Sequence, residues 1–176
     1  MTETSERLAK YVAAKGMTRE SFVTRFPHPL LVEVSPAKTP SEDAPQFATI
    51  LTPLTSSEKS DQDEDQSETL QVWPVVKRTT GTFEGMVNVG RSLNNDIVLP
   101  SNAASKLHAY FRYSSKDQAY SLTDASSTNG TFLNGKRLEP KVMELLQDGD
   151  SIVFADLPRR LFYSAQGFHD YLTENF

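Results

Sequence analysis

The chain of 176 residues has no cysteine and only three histidines, His28, His108 and His169. The lack of cysteine excludes disulfide bonds and thiolate chemistry. The histidines are scattered along the sequence, so the spacing does not favour a zinc site. We expect no metal site and no cofactor.

Long apolar runs are also missing. No run approaches the length of about 18 residues that a membrane helix needs, and the polar start Met1-Thr-Glu-Thr-Ser-Glu-Arg does not have the pattern of a secretory signal. We therefore expect a soluble cytoplasmic protein that does not contact a membrane.

The net charge of −5 is unevenly distributed. Residues 1–28 carry five basic and three acidic side chains, residues 29–69 carry two and nine, and residues 70–176 carry eleven of each. Binding to a phosphate backbone needs clustered cations. The C-terminal part has no basic excess, so we expect no nucleic-acid partner for it.

The composition divides the chain into three parts. Residues 1–34 predict an N-terminal extension with a helix over 4–16, a second helix after Thr18 and a strand at Leu30–Val34. Residues 35–69 contain four prolines and an acidic Ser-rich stretch, and they predict a flexible linker, although Phe47–Leu51 has strand character.

Residues 70–176 contain many short β-type runs separated by turn signals, which is typical of an all-β sandwich or barrel. The strongest hairpin signal is Asn134-Gly135, because Asn-Gly tolerates the positive φ angles of a type I′ turn. A short C-terminal helix is predicted over Gly167–Leu172. The predicted strands are Val72–Val76, Met86–Val89, Ile97–Leu99, Ala109–Tyr113, Ala119–Leu122, Thr131–Leu133, Lys136–Leu138, Ser151–Phe154 and Arg160–Tyr163.

Arg91 follows a predicted strand in which Val87 and Val89 face the core. A continued strand would bury the guanidinium without a partner, which is costly. We therefore expect the strand to end at Gly90 and to place Arg91 on a loop. There it is either an ordinary surface arginine or a residue that binds an anion. The second interpretation follows from the planar guanidinium, which can donate paired hydrogen bonds to phosphate oxygens.

Ser105, Lys106 and His108 follow another loop. Ser105 could donate a hydrogen bond to an anion, and Lys106 could add a point charge. An enzymatic interpretation makes Ser105 a nucleophile and His108 its base, but a spacing of three puts them on opposite faces of a strand. We favour a structural role for His108 and expect no catalytic residues.

A third loop runs from Asp124 to Gly130 and contains the short polar residues that turns commonly use. In a binding interpretation, the Thr128 hydroxyl reaches a phosphate and Asn129 offers both a donor and an acceptor. Three such loops at the ends of strands are a stronger signal than any one of them.

In order, these motifs resemble the signature of the forkhead-associated (FHA) domain over roughly residues 70–165. The matching residues are Gly90-Arg91, Asn95-Asp96-Ile97, Ser105-Lys106-Leu107-His108-Ala109, Asp124, Ser127-Thr128-Asn129-Gly130-Thr131, Asn134-Gly135, Leu146, Gly149-Asp150, Ile152 and Phe154.

The resemblance implies a two-sheet β-sandwich, here over 70–176, whose loops at one end bind phosphothreonine peptides. Carried over by position, Arg91 and Ser105 hold the phosphate and Thr128 assists. Asn129 bonds the peptide backbone, and His108 supports the site. We expect Lys106 to belong to the binding site, and we expect Gly90 and Asn134 to support the site structurally.

Two positions depart from the family pattern. Lys106 occupies a position at which the family often has arginine. The rigid, planar guanidinium is thereby replaced by an ammonium group on a rotatable side chain. Ala104 stands where a larger aliphatic residue is common.

The expected function is that of a phosphothreonine-binding adaptor or signalling module downstream of a Ser/Thr kinase. Its partner is a phosphothreonine protein or peptide, which could include the chain's own phosphorylated tail. The alternative is a DNA-associated regulator, because the segment Leu8–Phe26 resembles a short helix-turn-helix, with the FHA domain as phospho-sensor.

Overall fold

The computed structural model describes residues 6–33, 71–78 and 85–176. The elements in these ranges are β1 (Glu6–Arg7), α1 (Ala9–Val12), α2 (Arg19–Arg25), β2 (Leu30–Glu33), β3 (Gln71–Pro74), β4 (Met86–Gly90), β5 (Ile97–Val98), β6 (Ala109–Ser114), β7 (Ala119–Asp124), β8 (Thr131–Leu133), β9 (Lys136–Arg137), β10 (Met143–Leu145), β11 (Ser151–Phe154), β12 (Arg160–Tyr163) and α3 (Ala165–Asn175).

The described strands form two sheets. One has seven strands in the order β1-β3-β2-β12-β11-β8-β9, and the other has five in the order β10-β7-β6-β4-β5. The sheets are mostly antiparallel, and β4 and β5 pair in parallel. The all-β, two-sheet sandwich with short terminal helices is confirmed.

The main core lies between the two sheets. It is built from alternating inward side chains, because successive residues of a strand face opposite sides. The larger members include Leu31, Trp73, Phe111, Leu122, Ile152, Phe154 and Phe162.

A second core covers the other face of the seven-stranded sheet. Within β2, Leu31 faces the main core, whereas Leu30 and Val32 belong to the second one. There they join Val72 of β3 and aromatic and aliphatic residues of the helical segments, namely Leu8, Tyr11, Phe22, Phe26, Phe168 and Leu172. Strand β2 is therefore apolar on both faces, which explains its uninterrupted run Leu30-Leu31-Val32.

The structure integrates part of the predicted N-terminal extension into the sheet. Strand β2 lies between β3 and β12 and pairs with both, for example Leu31 with Trp73 and with Phe162. The domain limits of 1–34 and 70–176 stay predictions. The predicted linker and the strand-like run Phe47–Leu51 lie outside the described residues.

The helices differ from prediction mainly at their ends. Helix α1 spans four residues because Glu6–Arg7 is taken by β1, which pairs with β3. Helix α2 starts after Thr18, whose hydroxyl accepts a hydrogen bond from the Ser21 N–H, and ends before Pro27 as expected.

Helix α3 is longer than predicted. It is capped by Ser164, whose hydroxyl accepts a hydrogen bond from the Gly167 N–H at 3.0 Å. A Cβ at Gly167, in the first turn of this helix, would overlap the Asp148 carboxylate, which would have to move.

Two turns form as the sequence predicts. Strand β4 ends at Gly90, so Arg91 enters a loop. In the β8–β9 hairpin, Asn134 has φ of 51° and Gly135 has φ of 80°, which are the positive values that a type I′ turn requires. Strand β10 was missed, because all three of its residues are exposed and its pairing with β7 defines it.

Candidate functional site

Three loops meet at one end of the sandwich. They connect β4 to β5, β5 to β6, and β7 to β8, and they carry Arg91, Ser105 and Thr128 respectively. The Arg91 N–H donates to the Ser105 carbonyl at 3.0 Å, and the Thr128 N–H donates to Ser105 Oγ at 3.0 Å. Ser105 thus joins the loop of the arginine to the loop of the threonine.

Gly90 allows the first two loops to approach this closely. A Cβ at this position would overlap the Lys106 carbonyl oxygen and lie 2.9 Å from the Ser105 carbonyl oxygen. Any side chain here would push the β5–β6 loop away from Arg91. The predicted supporting role of Gly90 has a steric basis in this contact.

Asn95 fastens the same two loops from below. Its Nδ2 donates to the Ser92 carbonyl at 2.9 Å and to the Lys106 carbonyl at 2.6 Å, and the residue is buried. No role was predicted for Asn95, although its position in the Asn-Asp-Ile motif was a usable signal.

Asp96 fixes the end of the β4–β5 loop, directly before β5. Its carboxylate, which is fully buried, accepts hydrogen bonds from the Asn88 and Arg78 N–H groups at 2.8 Å each, and it forms an ion pair with Lys77 at 3.0 Å. Charged hydrogen bonds of this kind are strong because the acceptor is ionised. Asp96 was likewise missed as a supporting residue.

Ser105 and Thr128 bring their hydroxyl groups together. The two oxygens lie 3.4 Å apart, with Ser105 half-buried and Thr128 exposed. Since Ser105 Oγ accepts the Thr128 N–H, its own proton can be donated outward. The Arg91 side chain, on the neighbouring loop, is exposed, and its guanidinium forms no ion pair among the described residues.

His108 lies fully buried beneath the loops. Its Nδ1 accepts from the Ser105 N–H at 3.1 Å, so its Nε2 carries the proton and donates to the Gly130 carbonyl at 3.1 Å. Burial lowers the pKa of His108, although the Gly130 carbonyl and Asp124 oppose this. The neutral imidazole therefore links the second loop to the third.

This geometry argues against the nucleophile interpretation of Ser105. Both imidazole nitrogens of His108 are occupied by backbone groups, and neither contacts Ser105 Oγ. A serine nucleophile needs its base within hydrogen-bond reach of the hydroxyl.

Asp124 organises the third loop. Its buried carboxylate accepts hydrogen bonds from the Ser127 N–H at 2.9 Å, the Ser127 hydroxyl at 2.6 Å and the Thr131 hydroxyl at 2.7 Å. Burial acts to raise the pKa of Asp124, but the bonds from Ser127 and Thr131 outweigh it and hold the pKa below its ordinary value. Ser127 was missed as a structural residue because its type also fits an ordinary polar turn.

Asn129 is exposed and ties the third loop to the second. Its Nδ2 donates to the Ala103 carbonyl at 2.8 Å. Within the described part of the chain, no hydrogen bond reaches its Oδ1 atom, which leaves an acceptor for the N–H of a bound peptide.

Two further cations border the loops. Lys106 is exposed next to Ser105. Arg137 of β9 lies against Gly130, where a Cβ would be 2.5 Å from its Nε. Arg137 was not predicted, and its position follows from the hairpin that pairs it with Phe132.

Asn134 is the predicted supporting residue that the structure places apart from the others. It lies at the far end of β8, where its Nδ2 donates to Asp150 at 2.8 Å and its Oδ1 accepts from the Ser151 N–H at 2.8 Å. These bonds fasten the β8–β9 turn to β11.

Within residues 6–33, 71–78 and 85–176, no three His, Asp or Glu side chains gather in a way that could hold a metal ion. No helix in those ranges is long and apolar enough to cross a bilayer.

Comparison with known families identifies the sandwich. Residues 87–155 match the family model of the FHA domain. The matched range contains all three loops, and the chain therefore contains an FHA domain. FHA domains are generally binding modules rather than enzymes.

Individual relatives share this region. The chain is 37% identical over 81 residues to the ABC transporter ATP-binding/permease protein Rv1747 of Mycobacterium tuberculosis, covering 46% of this chain and 9% of that protein. It is 35% identical over 77 residues to the FHA domain-containing protein PS1 of Arabidopsis thaliana, covering 44% of this chain and 5% of that protein. The chain thus spans less than a tenth of either relative.

A solved structure of Mycobacterium tuberculosis EmbR in complex with a low-affinity phosphopeptide is also similar. The identity is 30%, the TM-score is 0.40, and the match covers 46% of this chain and 20% of EmbR.

Proposed function

We propose that this chain is a phosphothreonine-dependent binding module, acting as an adaptor or signalling component downstream of a Ser/Thr kinase. The observation that carries the proposal is the joining of the Arg91, Ser105 and Thr128 loops through Ser105. These groups give one exposed site a guanidinium and two hydroxyls, which are suited to a phosphoryl group.

The proposed binding mode assigns a separate task to each residue. Arg91 supplies a fork of donors for two phosphate oxygens, and Ser105 and Thr128 donate from their hydroxyls. Lys106 adds a rotatable charge, and Asn129 accepts a backbone N–H of the peptide. Gly90 and His108 hold the loops in this arrangement without contacting the ligand.

The phosphoryl group supplies most of the attraction in this mode. It carries roughly −1.5 to −2 charges near pH 7, whereas an unmodified threonine carries none. For such a small charged interface we expect a Kd in the micromolar range, about −8 kcal/mol. The role as a binding module requires no catalytic activity and no cofactor.

A phosphopeptide-array pull-down with the full chain tests this proposal. Wild type should retain phosphothreonine peptides and should not retain the same peptides without the phosphate. Arg91→Ala should abolish retention, whereas Arg112→Ala, which removes an exposed arginine from the middle of β6, should not. Equal retention by Arg91→Ala and wild type would remove Arg91 from the site.

The partner is a phosphothreonine-containing protein, which we place in the cytoplasm, where kinases have ATP. One candidate ligand is the chain's own tail, since Thr39, Thr49, Thr52, Thr55 and Thr69 are available there. These threonines lie outside the described residues. Mass spectrometry of protein from its native cell tests this candidate, and absence of tail phosphorylation under every growth condition would remove it.

A further inference from the structure

We propose that Leu93 and Leu107 form an apolar subsite next to the phosphate-reading loops, and that this subsite selects ligands with an apolar residue close to the phosphothreonine. The inference rests on the proposed function and names the class of phosphopeptide that the same site takes. Leu93 lies in the β4–β5 loop, two residues after Arg91, and Leu107 follows Lys106 at the end of the β5–β6 loop.

A backbone hydrogen bond joins the two loops next to these leucines. The Ser92 N–H donates to the Lys106 carbonyl at 3.3 Å. Leu93 directly follows the donor, and Leu107 directly follows the acceptor. Because consecutive Cα atoms are only about 3.8 Å apart, this bond keeps the backbones of the two leucines near each other.

Leu93 is held at the tip of a tight turn. The Asn95 N–H donates to the Ser92 carbonyl at 3.1 Å, and the Asn95 Nδ2 donates to the same oxygen at 2.9 Å. Leu93 and Asn94 therefore occupy the two central positions of a β-turn. Such positions usually hold glycine, proline, asparagine, aspartate or serine. The turn itself does not require a leucine, so we look for the role of Leu93 in binding.

Both leucines are accessible to a ligand. Leu93 is 78% exposed, the highest value among the large hydrophobic side chains of the described residues, and Leu107 is 38% exposed. A single exposed leucine is ordinary on a protein surface. Here two of them follow residues of the proposed site on two bonded loops. Because hydrogen bonds already fix these loops, a ligand side chain can pack on the leucines with little further ordering.

The subsite and Asn129 lie on different sides of the β5–β6 loop. On one side, Ser105 of this loop accepts from the Arg91 N–H of the β4–β5 loop. On the other side, the Ala103 carbonyl accepts from Asn129 of the β7–β8 loop. A peptide whose phosphate is bound at Ser105 and whose backbone is bound by Asn129 therefore reaches Leu93 with the opposite flank of its phosphothreonine.

The length of an extended peptide limits which ligand residue the subsite contacts. A strand rises about 3.3 Å per residue, so three residues span about 10 Å. We therefore expect the selected residue within three positions of the phosphothreonine and on one flank only. An aliphatic side chain there removes apolar area of the two leucines from water, whereas a polar side chain of similar size gains less.

The test uses fluorescein-labelled phosphothreonine peptides with an alanine and serine background. Leucine or glutamine is placed at each of the three positions before and after the phosphothreonine, one position at a time. Fluorescence anisotropy with the full chain should show that the leucine form binds about tenfold more tightly at one or more positions of one flank, a difference of about 1.4 kcal/mol.

Matched variants assign this preference to the subsite. Leu93→Ser should reduce the tenfold preference to less than about threefold, and Leu107→Ser should reduce it in the same direction. Leu145→Ser makes the same change at an exposed leucine of β10 and should keep the wild-type preference. Circular dichroism and thermal unfolding establish that each variant is folded.

Three results would overturn the inference and leave the proposed phosphothreonine function standing. The first is equal affinity for the leucine and glutamine forms at every position. The second is a leucine preference that Leu93→Ser and Leu107→Ser leave unchanged, which would place the apolar contact on the Asn129 side. The third is an equal loss of preference in Leu145→Ser. If no phosphorylated peptide binds, the proposed function and this inference both fail.

Discussion

The loop end of the sandwich and the helical layer on its outer face are held together by different forces. At the loop end, the buried Asn95 side chain donates to a backbone carbonyl, and the buried His108 and Asp124 side chains accept from backbone N–H groups. In the helical layer, aromatic rings pack on one another, as Tyr11 and Phe168 do at 5.4 Å. Directional bonds fix the positions of a few atoms, whereas apolar packing supplies stability that depends on buried volume.

This difference separates the effects that mutations should have. A change in the helical layer should alter the free energy of unfolding and leave the loop positions alone. A change beneath the loops should alter their geometry, and hence ligand binding, at a smaller cost in stability. Each of the following variants tests that separation, beginning with the largest expected effect.

Phe168→Ala should destabilise the chain by about 3–5 kcal/mol, because it empties a fully buried position among the aromatic rings. Urea unfolding followed by tryptophan fluorescence measures the loss. Phe176→Ala is the matched control, since Phe176 is about half exposed and should cost much less. Phosphopeptide affinity under native conditions should stay within error of wild type. A large loss of affinity in folded Phe168→Ala would show that the two regions are coupled.

Gly90→Ala should cost about 1–3 kcal/mol, the usual penalty for overpacking, because the added Cβ meets the Lys106 and Ser105 carbonyls. Separation of the first two loops should also weaken phosphopeptide binding. Isothermal titration calorimetry and thermal unfolding measure the two effects.

Gly16→Ala is the control for this change, since a Cβ at that position meets no atom within 4 Å. It should be neutral or slightly stabilising. Unchanged binding in Gly90→Ala would contradict the close approach of the loops as a requirement of the site.

His108 should make stability dependent on pH. Its pKa is lowered in the folded chain, so the unfolded chain binds the proton more readily. The stabilising contribution is therefore complete above the ordinary histidine pKa of about 6.5 and declines as the pH falls below it. Urea unfolding between neutral and mildly acidic pH should show this decline in wild type and not in His108→Gln. His28→Gln, which alters an exposed histidine, should keep the wild-type profile.

Lys106→Ala should have the smallest effect. Lys106 is exposed, and exposed charge pairs typically contribute about 0.2–1 kcal/mol. Calorimetry should show a modest loss of phosphopeptide affinity that shrinks at high salt, while Lys116→Ala shows none. A loss as large as that expected for Arg91→Ala would make Lys106 a principal phosphate contact.

The motif series of the loop end could be read from the sequence, and so could the three helices of the outer layer, but the way in which those helices cover the sheet could not. Gly90, Arg91, Ser105 and His108 are carried by a local, ordered series of motifs in which strand ends and turn residues are visible. The closing of the outer face depends on Leu30 and Val32 meeting Phe168, residues more than 130 positions apart. A local sequence pattern does not indicate which distant segment packs on the outer face of the sheet.

Individual failures follow the same rule. Asn95, Asp96 and Ser127 were recognisable as motif residues, but their roles depend on partners in other loops. Asn134 formed the expected turn, yet the length of β8 carries it away from the site it was predicted to support. Turn chemistry is local, whereas the distance of a turn from a site is set by the strands between them.

The most direct test of the proposed phosphate-reading site is a calorimetric titration of one selected peptide, with and without its phosphate, into wild type, Arg91→Ala and Arg112→Ala. We expect micromolar binding of the phosphorylated peptide to wild type and to Arg112→Ala, and no measurable binding of the unphosphorylated one. Arg91→Ala should lose about 1.5–3 kcal/mol, the scale of a charged hydrogen bond. Equal affinity for the two forms of the peptide, or an unchanged affinity in Arg91→Ala, would contradict the assignment of these loops to a phosphate.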